Sequence, residues 1–277
     1  MKLRATFRAG ITVLVIGAAL CAAQENPQAL VSQMVQHELA SQKHQNYWMY
    51  VDSNTNGGVT KVSRVVQTPE CWFTWPLSVD GNPASSAQQQ AERAKIRELV
   101  DNPSARRTSR QEIDQDGQKA QALVKQLPNI FVYTDDGEQN GNIRLKFKPN
   151  PKYNPPTRAA KVFHKMDGIL LIDSKEKRLA GISGTLMSDV TFGWGILGRL
   201  RKGGTFKVMQ TQLAPEDWEV TLLDVHIHGK ALFFKTISEQ QHEVKSGFQQ
   251  VPSGISLAKA AALAEHGQQN AQASATP

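Results

Sequence analysis

The chain has 277 residues, 40% of them hydrophobic, and 32 Lys and Arg against 25 Asp and Glu give a formal net charge of +7. That length and apolar content suit one all-β domain of ordinary size with a real core, and so mild a basicity does not argue for nucleic acid as a partner. The two cysteines, Cys21 and Cys71, rule out a fold held by a cysteine framework.

The N-terminus carries Lys2, Arg4 and Arg8 ahead of an apolar run from Ile11 to Ala23. This charged-then-apolar order is that of a secretory signal peptide, and the run is short for a membrane span. Cleavage after Ala23 is expected, with Ala22 and Cys21 as alternatives. A lipoprotein signal acylated at Cys21 is the rival, although Leu20 stands where a small residue is expected. An uncleaved anchor is the third reading. The mature chain would start near Gln24, carry a charge of +4 without the three leader cations, and reside in the periplasm. Cys71, set among aromatics in ECWFTWPL, is then a lone buried thiol.

Asn26 and Pro27 start a helix whose Leu30, Val31, Met34, Val35 and Leu39 fall on one stripe. Residues 45–52 and 59–67 read as strands around the turn-rich SNTNGG. A third strand follows over Glu70–Leu77, with Pro76 placing it near an edge. VDGNPASSAQ is a turn into a helix with Ala91, Ile96, Leu99 and Val100 as its sparse apolar content. Asp101–Asp116 reads as an exposed polar connection. A second helix carries Ala120, Leu123, Val124 and Leu127 and ends at Pro128.

From there the period is two. Ile143, Leu145 and Phe147 alternate with Arg144, Lys146 and Lys148, giving one core face and one wet, positive face. A Pro-rich crossing precedes a hairpin over 169–189 with its turn at Ser174–Lys177. Three or four further strands run to Phe248, with a bend at His228-Gly229-Lys230. A short alanine-rich helix around Leu257–Ala264 is expected to fray, leaving 251–277 a largely disordered tail. These pieces predict a mainly β fold: one curved antiparallel sheet, an unclosed half-barrel over residues 24–250, with a few helices covering the concave side.

Catalytic signatures are missing. Ser183 in GISGT lacks the spacing of a nucleophile elbow, and no phosphate loop or zinc motif occurs. Asp224, His226 and His228 share a strand face, and His164 or His242 would be needed to complete a metal site. The plainer reading is a solvated face opposite Leu223, Val225 and Ile227. No metal and no cofactor are expected. The most unusual stretch is DVTFGWGILGRLRKGG, in which an apolar run meets Arg199, Arg201 and Lys202. It reads either as ordinary core or as a lid that touches a cavity or membrane.

Two stretches carry a resemblance: PPTRAAKVFHKMDGILLIDSKEKRLAGISG, and VTFGWGILGRLRKGGTFKVMQTQLAPEDWEVTLLDVHIHGKALFFK. They resemble uncharacterised exported proteins abundant in acidobacteria. That group is in turn similar in strand order to the periplasmic lipoprotein-sorting carriers. The resemblance implies an unclosed β-barrel with helices over an apolar cavity that shelters acyl chains. On that basis Trp48, Tyr50, Phe192, Trp194 and Leu197 are expected to line or gate the cavity. Arg199, Arg201 and Lys202 are expected to meet an anionic headgroup. The expected protein is a non-enzymatic monomer that binds a lipid or acylated protein, with peripheral membrane contact. An envelope scaffold or sensor that binds another protein is the first alternative, and a hydrolase with dispersed catalytic residues the second. Intact-mass measurement of the exported protein is expected to give a chain starting near Gln24 without an acyl group; a diacylglyceryl adduct on Cys21 would overturn the cleaved-signal reading.

Overall fold

The computed structural model describes residues 26–41, 46–192, 198–227, 229–231 and 240–267. The expected leader, and with it Cys21, lies outside the described residues.

Helix α1 (Pro27–Ser41) begins as its sequence requires, with Asn26 Oδ1 accepting from the Gln28 amide at 2.9 Å. Strands β1 (Trp48–Asn56) and β2 (Val59–Gln67) form a hairpin. Its turn is Gly57-Gly58, both at positive φ, which favours glycine. Strands β3 (Trp72–Val79) and β4 (Asn82–Pro83) follow at the sheet edge. Pro76 is accommodated near a register shift between Val62 and Ser63 of the neighbouring strand.

Helix α2 (Ser86–Asp101) opens on a full capping box between Ser85 and Gln88. The expectation of an irregular connection over Asp101–Asp116 is corrected here. Helix α3 (Pro103–Val124) occupies it, begun by Asn102, whose side chain accepts from the Ser104 and Ala105 amides, and by Pro103 in the first turn. No residue of α3 is buried, so the stretch had no apolar stripe by which to read it. The short α4 (Leu127–Ile130) then leads into the sheet.

Strands β5 (Phe131–Gln139), β6 (Asn142–Pro149), β7 (Met166–Asp173) and β8 (Leu179–Leu186) form an antiparallel meander, with α5 (Arg158–Phe163) in the Pro-rich crossing. The alternation in β6 is as expected: Leu145 and Phe147 are buried, while Lys146 and Lys148 are exposed. Gly168 and Gly184 lie opposite each other under the Phe147 ring. A Cβ on Gly168 would sit 1.9 Å from the Ser183 carbonyl oxygen and 2.9 Å from Phe147 Cζ, so this pair of strands needs the bare backbone.

The stretch after β8 forms β9 (Val190–Phe192) and β10 (Gly198–Leu200), which pair with each other; β13 (Gly229–Ala231) joins β10 as a third strand. Of the expected bend at His228-Gly229-Lys230, His228 lies outside the described residues, and Gly229 and Lys230 open β13. The long strands β11 (Thr205–Ala214), β12 (Asp217–His226) and β14 (Gln240–Gln250) complete the main sheet. Its order is β4-β3-β2-β1-β14-β12-β11-β8-β7-β6-β5. It is one antiparallel sheet of 11 strands that does not close on itself, as the mainly β half-barrel reading predicted.

The helices do not all cover one side. Leu223 and Val225 of β12 stand opposite Glu243 and Gln241 of β14, and the register carries that face on to Asn54, Asp52 and Tyr50 of β1. This inner face takes α1, α4 and α5 over β5–β8, around Phe131, Leu145, Leu170 and Phe206. The opposite face of β1–β3, with Met49, Val66, Phe73 and Trp75, takes α2 and the last helix, α6 (Leu257–His266). The loose-tail expectation is corrected over 251–266. Val251 and Ala260, Ala261, Leu263 and Ala264 are buried in this second core, and Arg64 donates to the Ala264 carbonyl at 2.9 Å. Small alanines let the helix lie close on the sheet, a packing that no local pattern announces. Among the described residues no helix is long and apolar enough to cross a membrane.

One buried ion pair ties α1 to the sheet. Arg178 Nε donates to Glu38 Oε1 at 2.7 Å and Nη2 to Oε2 at 3.3 Å, while the Leu179 amide also donates to Oε1 at 2.8 Å. Both side chains are buried, so removal of either partner strands a charge. Glu38→Ala is therefore expected to lower stability by about 3–5 kcal/mol, read from the midpoint of urea unfolding at constant slope. A loss below about 1 kcal/mol would assign the anchoring of α1 to its apolar stripe alone.

Candidate ligand-binding cavity

The inner face is not filled evenly. Between β8, β11 and β12 on one side and α3, α4 and α5 on the other lies a cavity of about 630 Å³. Its sheet wall is Ile182, Phe206, Val208, Leu223 and Val225, and its helical wall includes Leu123, Val124, Leu127 and Val162. The walls are apolar because period-two strands present their core residues here, while α3 contributes only its last two turns. Gln126 and Gln210 are the polar side chains in the lining. The volume falls within the ~300–1,000 Å³ of small-molecule sites.

A second groove, of about 680 Å³, lies where the middle of α3 faces Gln67, Trp72 and Glu219. Ile113, Gly117 and Gln121 line this polar groove, and Ala120, Leu123 and Val124 line the apolar one. Spacings of three and four residues place them on one side of the helix. Helix α3 thus runs as a strap across the inner face, with one groove along each part of its length.

The expected site residues fall in different places. Trp48 and Tyr50 are corrected: both are buried in an aromatic cluster with Val65 and Phe248 and line neither groove. The Tyr50 and Phe248 rings are 5.2 Å apart, and Trp48 Nε1 donates to Asp217 Oδ2 at 3.0 Å. They do lie on the inner face, but β14 bulges at Gly247 and brings Phe248 over them. Burial, first among the causes, pushes the Tyr50 hydroxyl well above its usual range. Trp194 and Leu197 lie outside the described residues, as does His228; for Phe192 the backbone alone is described, in β9. Leu200, three residues on from Leu197, does line the cavity.

Of the basic residues, Arg199 is engaged. Its Nε donates to Asp189 Oδ2 at 2.9 Å, and Asp189 Oδ1 accepts from the Lys202 amide at 2.7 Å. These contacts, the Lys202 amide first, hold the Asp189 carboxyl below its usual range. Arg201 and Lys202 are exposed. The histidine reading separates likewise. Asp224 accepts from His242 Nδ1 at 2.9 Å and interacts with His226 Nε2 at 3.1 Å. This trio is on the outer face, solvent-exposed, and the described residues contain no group of three or more ligands fit for a metal. Cys71 is buried as expected, and burial raises its thiol.

Sequence reasoning missed a polar belt between the apolar cavity and the aromatic cluster. It comprises Asp52 of β1, Glu219 of β12, Gln241, Glu243 and Lys245 of β14 and, in the cavity wall, Gln210 of β11. Lys245 Nζ is 3.2 Å from Glu243 Oε1 and 5.5 Å from the Tyr50 ring centre. Burial, the main cause, pushes Glu219 up to about 7 and Asp52 up to about 6, with Glu243 adding to the rise at Asp52 and Asp217 to that at Glu219. Pairing of strands far apart in the chain assembles this belt, so spacing alone gave no sign of it.

No family model matches the chain, and no curated protein is similar to it. Among solved structures it is similar to the crystal structure of a DUF1329 family protein from Desulfovibrio piger, with a TM-score of 0.30 and 11% identity over 88% of this chain and 98% of that one. A likeness of that size carries no argument about function.

The raised carboxyls have a consequence for stability. A folded-state value above the unfolded one favours the protonated form, so the stabilising effect is full below about pH 4 and disappears as pH rises through about 7 for Glu219. At pH 8 the folded protein bears the cost of a half-buried charge. Glu219→Gln is expected to be more stable than the parent at pH 8 by about 1–2 kcal/mol, and equal to it near pH 4. Chemical denaturation at the two pH values checks this; a variant less stable at pH 8 would make the carboxylate a structural partner.

Proposed function

We propose that this protein is a non-enzymatic binding protein that shelters the acyl chain of a lipid, or of an acylated protein, in the cavity beneath α3. One observation carries the reading: an apolar cavity of about 630 Å³ is left between the sheet and its helices, where a protein made only for stability would fill the space. The Ala120, Leu123 and Val124 end of α3 forms part of its wall. With no buried residue of its own, α3 is the wall element least fixed by packing, which suits a cover that admits a chain. Export by the N-terminal signal would place this activity in the periplasm, acting as a monomer with peripheral contact to a membrane. Leu200 in the cavity wall, flanked by Arg199 and Arg201, brings the small sheet to the cavity rim on this reading. Among the described residues the cavity wall supplies no nucleophile, base or acid, which favours binding over hydrolysis.

Titration with the neutral apolar dye N-phenylnaphthylamine tests the proposal. The protein is expected to bind the dye and release it to long-chain amphiphiles. Leu123→Trp, which fills the cavity from α3, is expected to weaken dye binding at least tenfold while the melting temperature stays within a few degrees. Equal binding by the variant would place the dye elsewhere, and no binding by the parent would overturn the carrier reading.

A further inference from the structure

The apolar cavity and the polar groove adjoin. Ala120 lines the cavity, and Gln121, the next residue of α3, lines the groove. On the sheet wall Val220 lines the cavity, and its β12 neighbour Glu219 lines the groove. Both walls thus change from apolar to polar within one residue. Gln210 stands beside that border. It lies in the cavity wall as the register partner of Val220, and its Oε1 is buried without a hydrogen-bond partner. A buried acceptor left in that state costs about 1–3 kcal/mol.

The polar groove is not built for a single charge. Asp114 pairs with Arg110 at 2.9 Å, Asp116 pairs with Lys119 at 2.7 Å, and the Lys245 ammonium acts on Glu219. Arg110 also donates to the Pro69 carbonyl at 3.2 Å. The groove instead offers a mixture. Its carboxylates accept, the Gln118 carboxamide and Ser109 hydroxyl both donate and accept, and Tyr47 and Trp72 bring partly exposed aromatic rings. Gly117 faces this space from the middle of α3, where a Cβ would meet nothing within 4 Å. A glycine inside a helix costs about 1 kcal/mol relative to alanine, and here it keeps the groove wide. The groove's volume of about 680 Å³ also lies within the ~300–1,000 Å³ of small-molecule sites.

We infer that the two grooves together take one amphiphile with an uncharged sugar head, its alkyl chain along Val208, Leu223 and Val225 and its ring in the polar groove beside Trp72 and Gln118. The inference rests on the binding reading above and names the ligand's polar end. A sugar complements this lining group by group. Its hydroxyls each donate and accept, which suits a wall of carboxylates and carboxamides, and its C–H faces pack on aromatic rings. The hydroxyl nearest the chain supplies the donor that Gln210 lacks. An anionic head is disfavoured, because Glu112, Asp114, Asp116 and Glu219 face the groove with Arg110 as the cation of its lining. A cationic head would meet carboxylates of which three already have a cation acting on them.

The cavity has a second rim, at Leu200, where Arg201 and Lys202 are exposed, and an anionic head there is the competing outcome. Displacement of bound N-phenylnaphthylamine by dodecyl maltoside, dodecanol, dodecylammonium and dodecanoate, each below its micelle concentration, separates the readings. The maltoside is expected to bind at least tenfold more tightly than each of the other three. Gly117→Trp, which fills the polar groove from an exposed helical position, is expected to bind dodecanol as the parent does and to lose the preference for the maltoside. The double variant Glu112→Ala, Gln118→Ala, also at exposed positions, is expected to lose at least threefold of that preference, and it decides the matter if Gly117→Trp melts well below the parent. If dodecanoate or dodecylammonium binds as tightly as the maltoside, or the folded groove variants keep the full preference, the sugar head is overturned and the cavity stands. If none of the four displaces the dye, the acyl-binding reading fails with it.

Discussion

Strand β14 hydrogen-bonds to β1 on one side and to β12 on the other. Every other arrangement in the molecule depends on that double pairing. The chain makes two separate antiparallel runs, β1 to β4 and β5 to β12, and neither has a face wide enough to enclose anything. The last strand inserts between them and turns two runs into one sheet of 11 strands. Backbone groups on both edges of β14 are thereby satisfied, which makes the junction obligatory once the strand is buried. Contacts so distant in sequence also cost the most loop-closure entropy, so this junction is expected to form late in folding.

The junction decides where each core lies. On the β5–β8 side, α1, α4 and α5 cover the inner face, with the Glu38–Arg178 pair fixing the position of α1. On the β1–β3 side, α2 and α6 cover the outer face around Phe73 and Trp75. Helix α3 has to pass from one regime to the other. Arg106, near its start, bridges to Glu70 at 2.8 Å and donates to the Leu99 and Val100 carbonyls at the end of α2. Its far end meets the cavity. A helix anchored at its start, with a polar middle and no buried residue, spans the inner face without filling it, which leaves the space beneath it empty.

The inner face changes character as it crosses β14. From Ile182 to Val225 it is apolar; at Gln241, Glu243, Lys245 and Asp52 it is polar; at Tyr50 and Trp48 it is aromatic. A purely structural sheet would continue the apolar core across the junction. The interruption leaves unpaired acceptors and carboxyls raised by burial, features that weaken a fold and that binding sites commonly retain.

The amino-acid sequence by itself determined the local elements. Asn26-Pro27 and the stripe of Leu30, Val31, Met34 and Val35 specify α1, the Gly57-Gly58 turn specifies the first hairpin, and the alternation from Ile143 to Phe147 specifies a strand with one core face. Together they were enough for a mainly β sheet with an apolar inner side, because helix and strand periods are local properties of the chain. The end of helix α3 was legible from Ala120, Leu123 and Val124, but its first part escaped because its helicity rests on caps and a bare polar surface, with no stripe to betray a period. Helix α6 was legible as a short alanine-rich helix, but its burial escaped because it depends on a sheet surface formed nearly two hundred residues earlier. Trp48 and Tyr50 were expected to line or gate the cavity and lie instead in an aromatic cluster, since the β14 bulge that brings Phe248 over them is decided by pairing. The polar belt was illegible for the same reason: Asp52, Gln210, Glu219 and Gln241 come onto one surface only when β1, β14, β12 and β11 lie side by side. Spacing along the chain encodes which way a side chain points on its own strand, and only tertiary pairing decides which strand stands next to it.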